Sequence, residues 1–215
     1  MAINKKKVYR LCKELGVLKP QRRLVPKYPR KLARNRQIDG PNQLWETDIK
    51  YGYIAGEDRF FFIQSVLDIY DRSVVDYHIG LFCTAKDAVA SLKGALLRRQ
   101  LYGRESRPVV RSDNGPQFVS GIFEEACQQL GLEHERISYR TPKMNAHIEA
   151  FHSILESDCL SRHEFANFAE AYKTVADFMR KYNTVRIHSG VRYMTPDECY
   201  QAFLRNSMKL KPIRA

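Results

Sequence analysis

"LWETDIKYGYIAGEDRFFFIQSVLDIYDRSVVDYHIGLF" occupies residues 44–82, and its reading decides the fold. It holds three runs rich in β-branched and aromatic residues, Leu44 to Ile54, Arg59 to Tyr70 and Ser73 to Phe82. Gly56-Glu57-Asp58 and Asp71-Arg72 separate them, and both suit tight connections. The three runs therefore read as an antiparallel meander.

Downstream the period changes. Thr84, with Asp87 three residues later, caps a helical stretch, "AKDAVASLKGALLRRQLYG", that runs to Gly103. "RPVVRSD" (107–113) is a fourth strand, "SGIFEEACQQLG" (120–131) a second helix ending on Gly131, and "LEHERI" (132–137) a short fifth strand. The order β-β-β-α-β-α-β predicts an α/β fold, a mixed five-stranded sheet flanked by helices, with its later strands parallel. The fourth strand then returns beside the first. Residues 138–145, "SYRTPKMN", form a loop, followed by the helices "AHIEAFHSILESDCL" from Ala146 and "NFAEAYKTVADFMRKYN" (167–183). Ile148, Phe151 and Leu155 mark the apolar side of the first, while Glu149, His152, Ser153 and Glu156 mark a polar side. Thr195-Pro196 announces a last short helix.

Upstream the chain is strongly basic. Residues 1–40 carry a net charge of +11 out of +12 for the whole chain, leaving +1 for residues 41–215. Val8, Leu11 and Leu15 predict a short helix within "INKKKVYRLCKELGVL", capped by Asn4 and stopped at Gly16, with Lys and Arg on its other face. Four prolines in residues 19–43 mark a linker. The expected division is a basic arm over 1–40, a core with C-terminal helices over 41–205 and a basic tail over 206–215. An arm so charged suits a polyanion, with Lys5, Lys6, Lys7, Arg10, Arg22 and Arg23 as contacts; the plainer reading is a solvated leader.

Composition narrows the class. At 215 residues and 44% hydrophobic, the chain supports one core of ordinary domain size. No apolar run approaches the roughly 20 residues of a membrane span, and no apolar stretch of an export signal follows the charged start. A soluble cytoplasmic protein is expected. Five scattered cysteines without a C-x-x-C pair suggest neither a disulfide framework nor a thiolate zinc site, and none of the six histidines lies in H-E-x-x-H spacing.

Three acids remain to be considered together: Asp48 in the first strand, Asp113 at the end of the fourth, and Glu149 on the polar side of the helix. Each has an ordinary reading. Asp48 can sit on a solvated strand face beside Glu46 and Lys50, Asp113 can serve the Asn114-Gly115-Pro116 turn, and Glu149 can be a surface carboxylate. With strands one and four adjacent, however, Asp48 and Asp113 approach each other. Three such carboxylates repel unless divalent metal neutralises them, and oxygen-only ligation suits Mg²⁺ or Mn²⁺. Two such ions, roughly 3.5–4 Å apart, support in-line phosphoryl displacement.

"LWETDIKYGYI", "SDNGPQF" and "AHIEAFHSILES" resemble the three acidic blocks of the retroviral-integrase-like DDE transposases, in particular the second-frame product of insertion sequence family three. Asp113 and Glu149 are separated by 35 residues, as in that family, and "YNTVRIHSGVRYMTPDE" (182–198) is similar to its closing block. The resemblance covers residues 42 to 204. It implies a ribonuclease H-like core, Asp48, Asp113 and Glu149 as catalytic ligands of two Mg²⁺ or Mn²⁺ ions, and DNA strand cleavage followed by strand transfer. The implied partners are DNA ends and target, a second copy of the chain, and a first-frame helix-turn-helix protein, at the nucleoid and not at a membrane. DNA contacts are expected at Asn114, Gln117, Tyr139, Arg140, Lys143, Asn145 and His152, and in the tail at Arg186 and His188.

Two departures stand out. The family usually carries Lys or Arg seven residues after its Glu; here that position is Glu156, whose charge opposes phosphate. "NKKKVYRLCKELGVLKP" resembles only the latter part of the helix-turn-helix region that precedes the family's core. Two other readings follow from these features, a catalytically impaired DNA-binding remnant and a ribonuclease H-type nuclease acting on RNA–DNA hybrids. Asp68, in "VLDIYDRS", matches a non-ligand position and is expected to be structural.

Overall fold

The computed structural model describes residues 4–18, 31–138 and 142–215. Its strands are β1 (Gln37–Ile38), β2 (Leu44–Ile54), β3 (Arg59–Asp68), β4 (Val74–Gly80), β5 (Val109–Ser112), β6 (Glu133–Arg136) and β7 (Ile213–Arg214). Its α-helices are α1 (Lys5–Glu14), α2 (Ala85–Arg98), α3 (Gly121–Gln129), α4 (Ala146–Asp158), α5 (Phe168–Thr184) and α6 (Pro196–Leu204). Local chemistry sets most boundaries. Asn4, Thr84, Ser120, Asn167 and Thr195 each accept a backbone N–H of the first turn, and Thr84 with Asp87 and Thr195 with Glu198 complete capping boxes. Several elements are shorter than the sequence pattern predicts, β4 and α2 among them. β4 begins only at Val74 because Asp71 Oδ1 accepts the Ser73 N–H in the preceding turn, and α2 ends at Arg98 because Gln100 turns into the left-handed region at φ +52°.

Five strands form one sheet in the order β4-β3-β2-β5-β6. β4, β3 and β2 are antiparallel, as the meander requires, while β5 lies parallel to β2 and β6 parallel to β5. The register of the central parallel pair sets Thr47 opposite Ser112, so Asp48 and Asp113 follow side by side where β5 ends. Alternation along the strands then divides the core. Trp45 and Val66 face Leu92, Leu96 and Phe123 of α2 and α3; Ile54, Phe61 and Ile63 face Ile148, Phe151 and Leu155 of α4 and Val175 and Met179 of α5. A third cluster at the end of the sheet joins Leu44, Tyr70 and Val109 to Ile38, Val191, Cys199 and Leu210.

The segment before the sheet and the end of the chain are tied to this core. Leu32 bridges to Arg136 on the edge of β6, β1 pairs with β7, and the Tyr70 hydroxyl accepts the Leu210 N–H at 2.9 Å. α1 is different: none of its side chains is buried, and Val8, Leu11 and Leu15 stand exposed.

Buried polar groups fix the sheet's connections. Asp68 is fully buried and accepts N–H bonds from Trp45 Nε1, Asn42 and Tyr70, the structural role expected of it. Arg111, also fully buried, donates to Glu135 at 2.8 Å, to the Met144 carbonyl before α4 and to the Arg34 carbonyl of the incoming segment. Arg36 reaches the other oxygen of Glu135 at 2.9 Å. One side chain on β5 thus holds together the sheet, the start of α4 and the segment leading in from the arm. Glu135→Ala strands the Arg111 guanidinium away from water, and the expected cost is about 3–5 kcal/mol, read as a lowered urea midpoint.

Candidate active site

The site is built where β2 runs alongside α4. Two residues advance a strand by about 6.7 Å and four advance a helix by about 6 Å. Residues 46, 48 and 50 of β2 therefore keep step with 148, 152 and 156 of α4. Each step carries a polar contact. Glu46, almost fully buried, accepts the Ile148 N–H at 2.8 Å, a carboxylate on the first turn of α4 that satisfies one of the helix's unpaired donors. Asp48 Oδ2 stands 3.6 Å from His152 Nδ1. Lys50 Nζ reaches Glu156 Oε2 at 2.8 Å.

The electrostatics differ from step to step. Burial pushes Glu46 up to about 7, against the pull of the Ile148 N–H and of Arg111 and Arg72. Burial likewise pushes Asp48 up to about 7; the Ile49 N–H opposes this, and the negative charges of Asp113 and Glu149 add to it. Asp48 on β2 therefore senses the charges at the end of β5 and in the first turn of α4. His152 is driven down to about 4, by burial first and then by Lys50, so near neutral pH it is an uncharged ring packed against Asp48. Lys50 and Glu156 keep 31% and 47% of their side-chain surface, and a pair so exposed is worth under about 1 kcal/mol.

Asp113 makes its own turn. Its Oδ1 accepts the Gly115 N–H at 2.8 Å, and a Cβ on Gly115 would lie 2.9 Å from that same oxygen. The turn chemistry and the carboxylate are one device, in which glycine leaves room for the oxygen to lie against the backbone. Among the described residues no three His, Cys, Asp or Glu side chains stand in a ready-made metal cage. The donor chemistry of Asp48, Asp113 and Glu149 nevertheless fits a hard dication, being all oxygen, with the charges of Asp113 and Glu149 adding to the burial that raises Asp48. A positive ion offsets those charges.

The other residues singled out in the sequence are placed as follows. Asn114 donates to the Ile137 carbonyl and Gln117 to the Cys83 carbonyl, so both amides brace the loops around Asp113. Asn145 is buried immediately before α4, with no partner for its Oδ1 among the described residues. His152 lies buried under the helix and not on its exposed polar side, because the β2 face closes over it. Arg186 is paired with Asp158 at 2.5 Å, and His188 packs on the Tyr182 ring and pairs through its backbone with Met194. Lys5, Lys6, Lys7 and Arg10 are exposed on α1. Arg22, Arg23, Tyr139 and Arg140 lie outside the described residues, and Lys143 is described in its backbone alone.

Glu46, Lys50 and the contact between Arg72 and His147 were not singled out by the sequence pattern. A signal for the first two was present in the spacing: Glu46 and Lys50 flank Asp48 at two residues, on its own strand face. None of the spacing indicates Arg72, which reaches α4 from a turn with φ +68°.

Two integrase core domain models match the chain, one over residues 39–142 and one over 130–196. The chain is 34% identical, over 91% of its length, to an uncharacterized protein of insertion element IS476 from Xanthomonas euvesicatoria, covering 55% of that protein. It is 29% identical, over 91% of its length, to an uncharacterized protein of insertion element IS407 from Burkholderia multivorans, covering 68%. It is 26% identical, over 78% of its length, to the transposase InsF for insertion sequence IS3A from Escherichia coli, covering 57%. The chain thus spans between about half and two thirds of these relatives. Among solved structures, the HTLV-2 integrase catalytic core domain in complex with magnesium superposes with a TM-score of 0.57 at 17% identity, over 75% of this chain and 97% of that one. The catalytic domain of the Mos1 mariner transposase superposes with 0.54 at 13% identity, over 76% of each. At these identities the likeness is one of fold, the ribonuclease H-like sheet with its flanking helices.

Two substitutions test the electrostatic description. Asp48 ionises near 3.9 in an unfolded chain and near 7 in the fold, so its charge burdens the native state above pH 7 and not below pH 4. Asp48→Asn is expected to raise stability by roughly 1–3 kcal/mol at pH 8 in EDTA, with the gain vanishing at pH 4, measured by urea denaturation. Gly115→Ala is expected to displace the Asp113 carboxylate, read as at least tenfold weaker Mn²⁺ binding, while the melting temperature shifts by only a few degrees, roughly the effect of 1 kcal/mol.

Proposed function

Because this chain belongs to the integrase-core family of insertion-sequence transposases, we propose that it is a DDE transposase catalytic core, cutting DNA at element ends and joining the 3′ ends to a target. The observation that carries this reading is the mutual charge sensed at Asp48 from Asp113 and Glu149. A carboxylate whose ionisation is displaced by burial and by acids from two other elements is a common mark of a catalytic site. Asp48, Asp113 and Glu149 would hold Mg²⁺ or Mn²⁺, as two ions whose chemistry is to activate the attacking oxygen and stabilise the leaving one.

The chain's own residues position that chemistry. The parallel β2–β5 register supports Asp48 and Asp113 from a rigid sheet; Glu46 anchors the first turn of α4, and with it Glu149. His152, uncharged and packed on Asp48, keeps water from one side of the carboxylate. The exposed lysines and Arg10 of α1, with the Arg22 and Arg23 of the linker, supply phosphate contacts that fix register and steer association without reading sequence. The partners are then the element ends and the target DNA. A second copy serves the second end, a first-frame helix-turn-helix protein assists end recognition, and the reaction takes place at the nucleoid in the cytoplasm. No described helix is long and apolar enough to cross a membrane.

The test is a cleavage and strand-transfer assay on duplexes taken from the DNA flanking the gene, in Mg²⁺, Mn²⁺ and EDTA. Metal-dependent cleaved and joined products are expected from the wild type, and a loss of at least a thousandfold from Asp113→Asn with its melting temperature preserved. Equal activity in Asp113→Asn overturns the assignment. Cleavage of RNA–DNA hybrids without any joining replaces it with a nuclease.

A further inference from the structure

Lys50 and Glu156 form the outermost of the three contacts between β2 and α4, and theirs differs in kind from the other two. Glu46 and His152 are closed off from solvent, whereas Lys50 and Glu156 meet water. Lys50 stands two residues beyond Asp48 on the same strand face, one step along from the carboxylate site; its charge is felt at His152. Glu156, two turns beyond Glu149 on the same side of α4, holds that ammonium at 2.8 Å. Beyond the pair opens a cavity of about 330 Å³ lined by Tyr51, Tyr53, Phe60 and Glu156 among others. A polyanion laid across the three acids and continuing along α4 toward this cavity passes over the pair.

We propose that Lys50 is a DNA-phosphate contact of this site, and that Glu156 holds it in place until the nucleic acid displaces the carboxylate. The inference rests on the transposase reading and adds a substrate-binding residue to it. The physical case is one of competition. A three-acid site repels a phosphodiester, and a fixed cation at its border offsets that repulsion where backbone phosphates must pass. A half-exposed carboxylate is a weak rival for a lysine, since water already solvates both partners. A DNA backbone is a stronger one, because binding it releases condensed counterions. Glu156 therefore holds the cation in place more than it neutralises it, and its charge is an obstacle only after Lys50 has left it.

The experiment uses the full chain and the same flanking-DNA duplex, with binding measured against salt in EDTA and cleavage measured in Mn²⁺. Lys50→Met is expected to lower the slope of log affinity against log salt by about one and to cut cleavage at least tenfold, with the melting temperature unchanged. Lys50→Arg should stay within about threefold of wild type, and Glu156→Gln should bind about two- to tenfold more tightly. The reversal Lys50→Glu should inactivate, and adding Glu156→Lys should restore at least a tenth of wild-type cleavage, because a cation again stands at that border. An unchanged salt slope and cleavage in Lys50→Met overturns the inference while leaving the transposase reading intact. If instead the wild type gives no metal-dependent product, the transposase reading fails; a lowered slope in Lys50→Met still supports the phosphate contact, and an unchanged slope sinks it too.

Discussion

The near-equality of two distances, two residues of strand and four of helix, governs this structure. It lets β2 and α4 run side by side with their polar residues in step, so that Glu46, Asp48 and Lys50 meet the Ile148 N–H, His152 and Glu156 in turn. The contacts grade from a buried carboxylate on a helix N-terminus, through a neutral imidazole against a carboxylate, to a solvated ion pair. A slip of one residue in β2 would turn all three side chains into the apolar cluster under α2 and α3. The position of Glu149 relative to Asp48 depends on this alignment.

The third acid depends on the parallel pairing of β2 with β5, and that pairing has its own supports. Asp68 gathers the Trp45 indole and two backbone N–H groups at one end of β2, and Arg111 spans from β5 to β6, to the loop before α4 and to the segment carrying the arm. Buried charges of this kind contribute little net stability when satisfied and cost heavily when a partner is lost. Their effect is to define which elements lie where. The same residues that fix the sheet thus fix the distance between the acids.

Electrostatic crowding at the acids is the counterpart of that rigidity. Burial raises Asp48 to about 7 and the charges of Asp113 and Glu149 add to it, and the proposed dications are the natural counter-charge. Family membership and a shared fold with integrase and transposase cores agree with this chemistry. A glutamate where the resemblance leads one to expect a phosphate contact faces a lysine on the neighbouring strand, a pairing visible only across the β2–α4 interface.

Much of this was legible in the sequence. Period-two runs, capping boxes and glycine stops are local, and they gave the five strands of the sheet and the helices; the order of elements gave the adjacency of Asp48 and Asp113. The spacing of the acidic blocks pointed to the family. What the chain could not declare is which polar side chains turn inward. His152 reads as a surface residue by helical periodicity, yet a strand face closes over it; that the amides of Asn114 and Gln117 also brace neighbouring loops has no signal in the pattern. The two-residue pairings β1 and β7 are too short to have a period at all. Lys50 and Glu156 each read as ordinary solvated charges, because the partner that gives either its meaning lies 106 positions away. Local periodicity determines the elements; the facing of one element on another, set by packing and register, decides which of their charges meet.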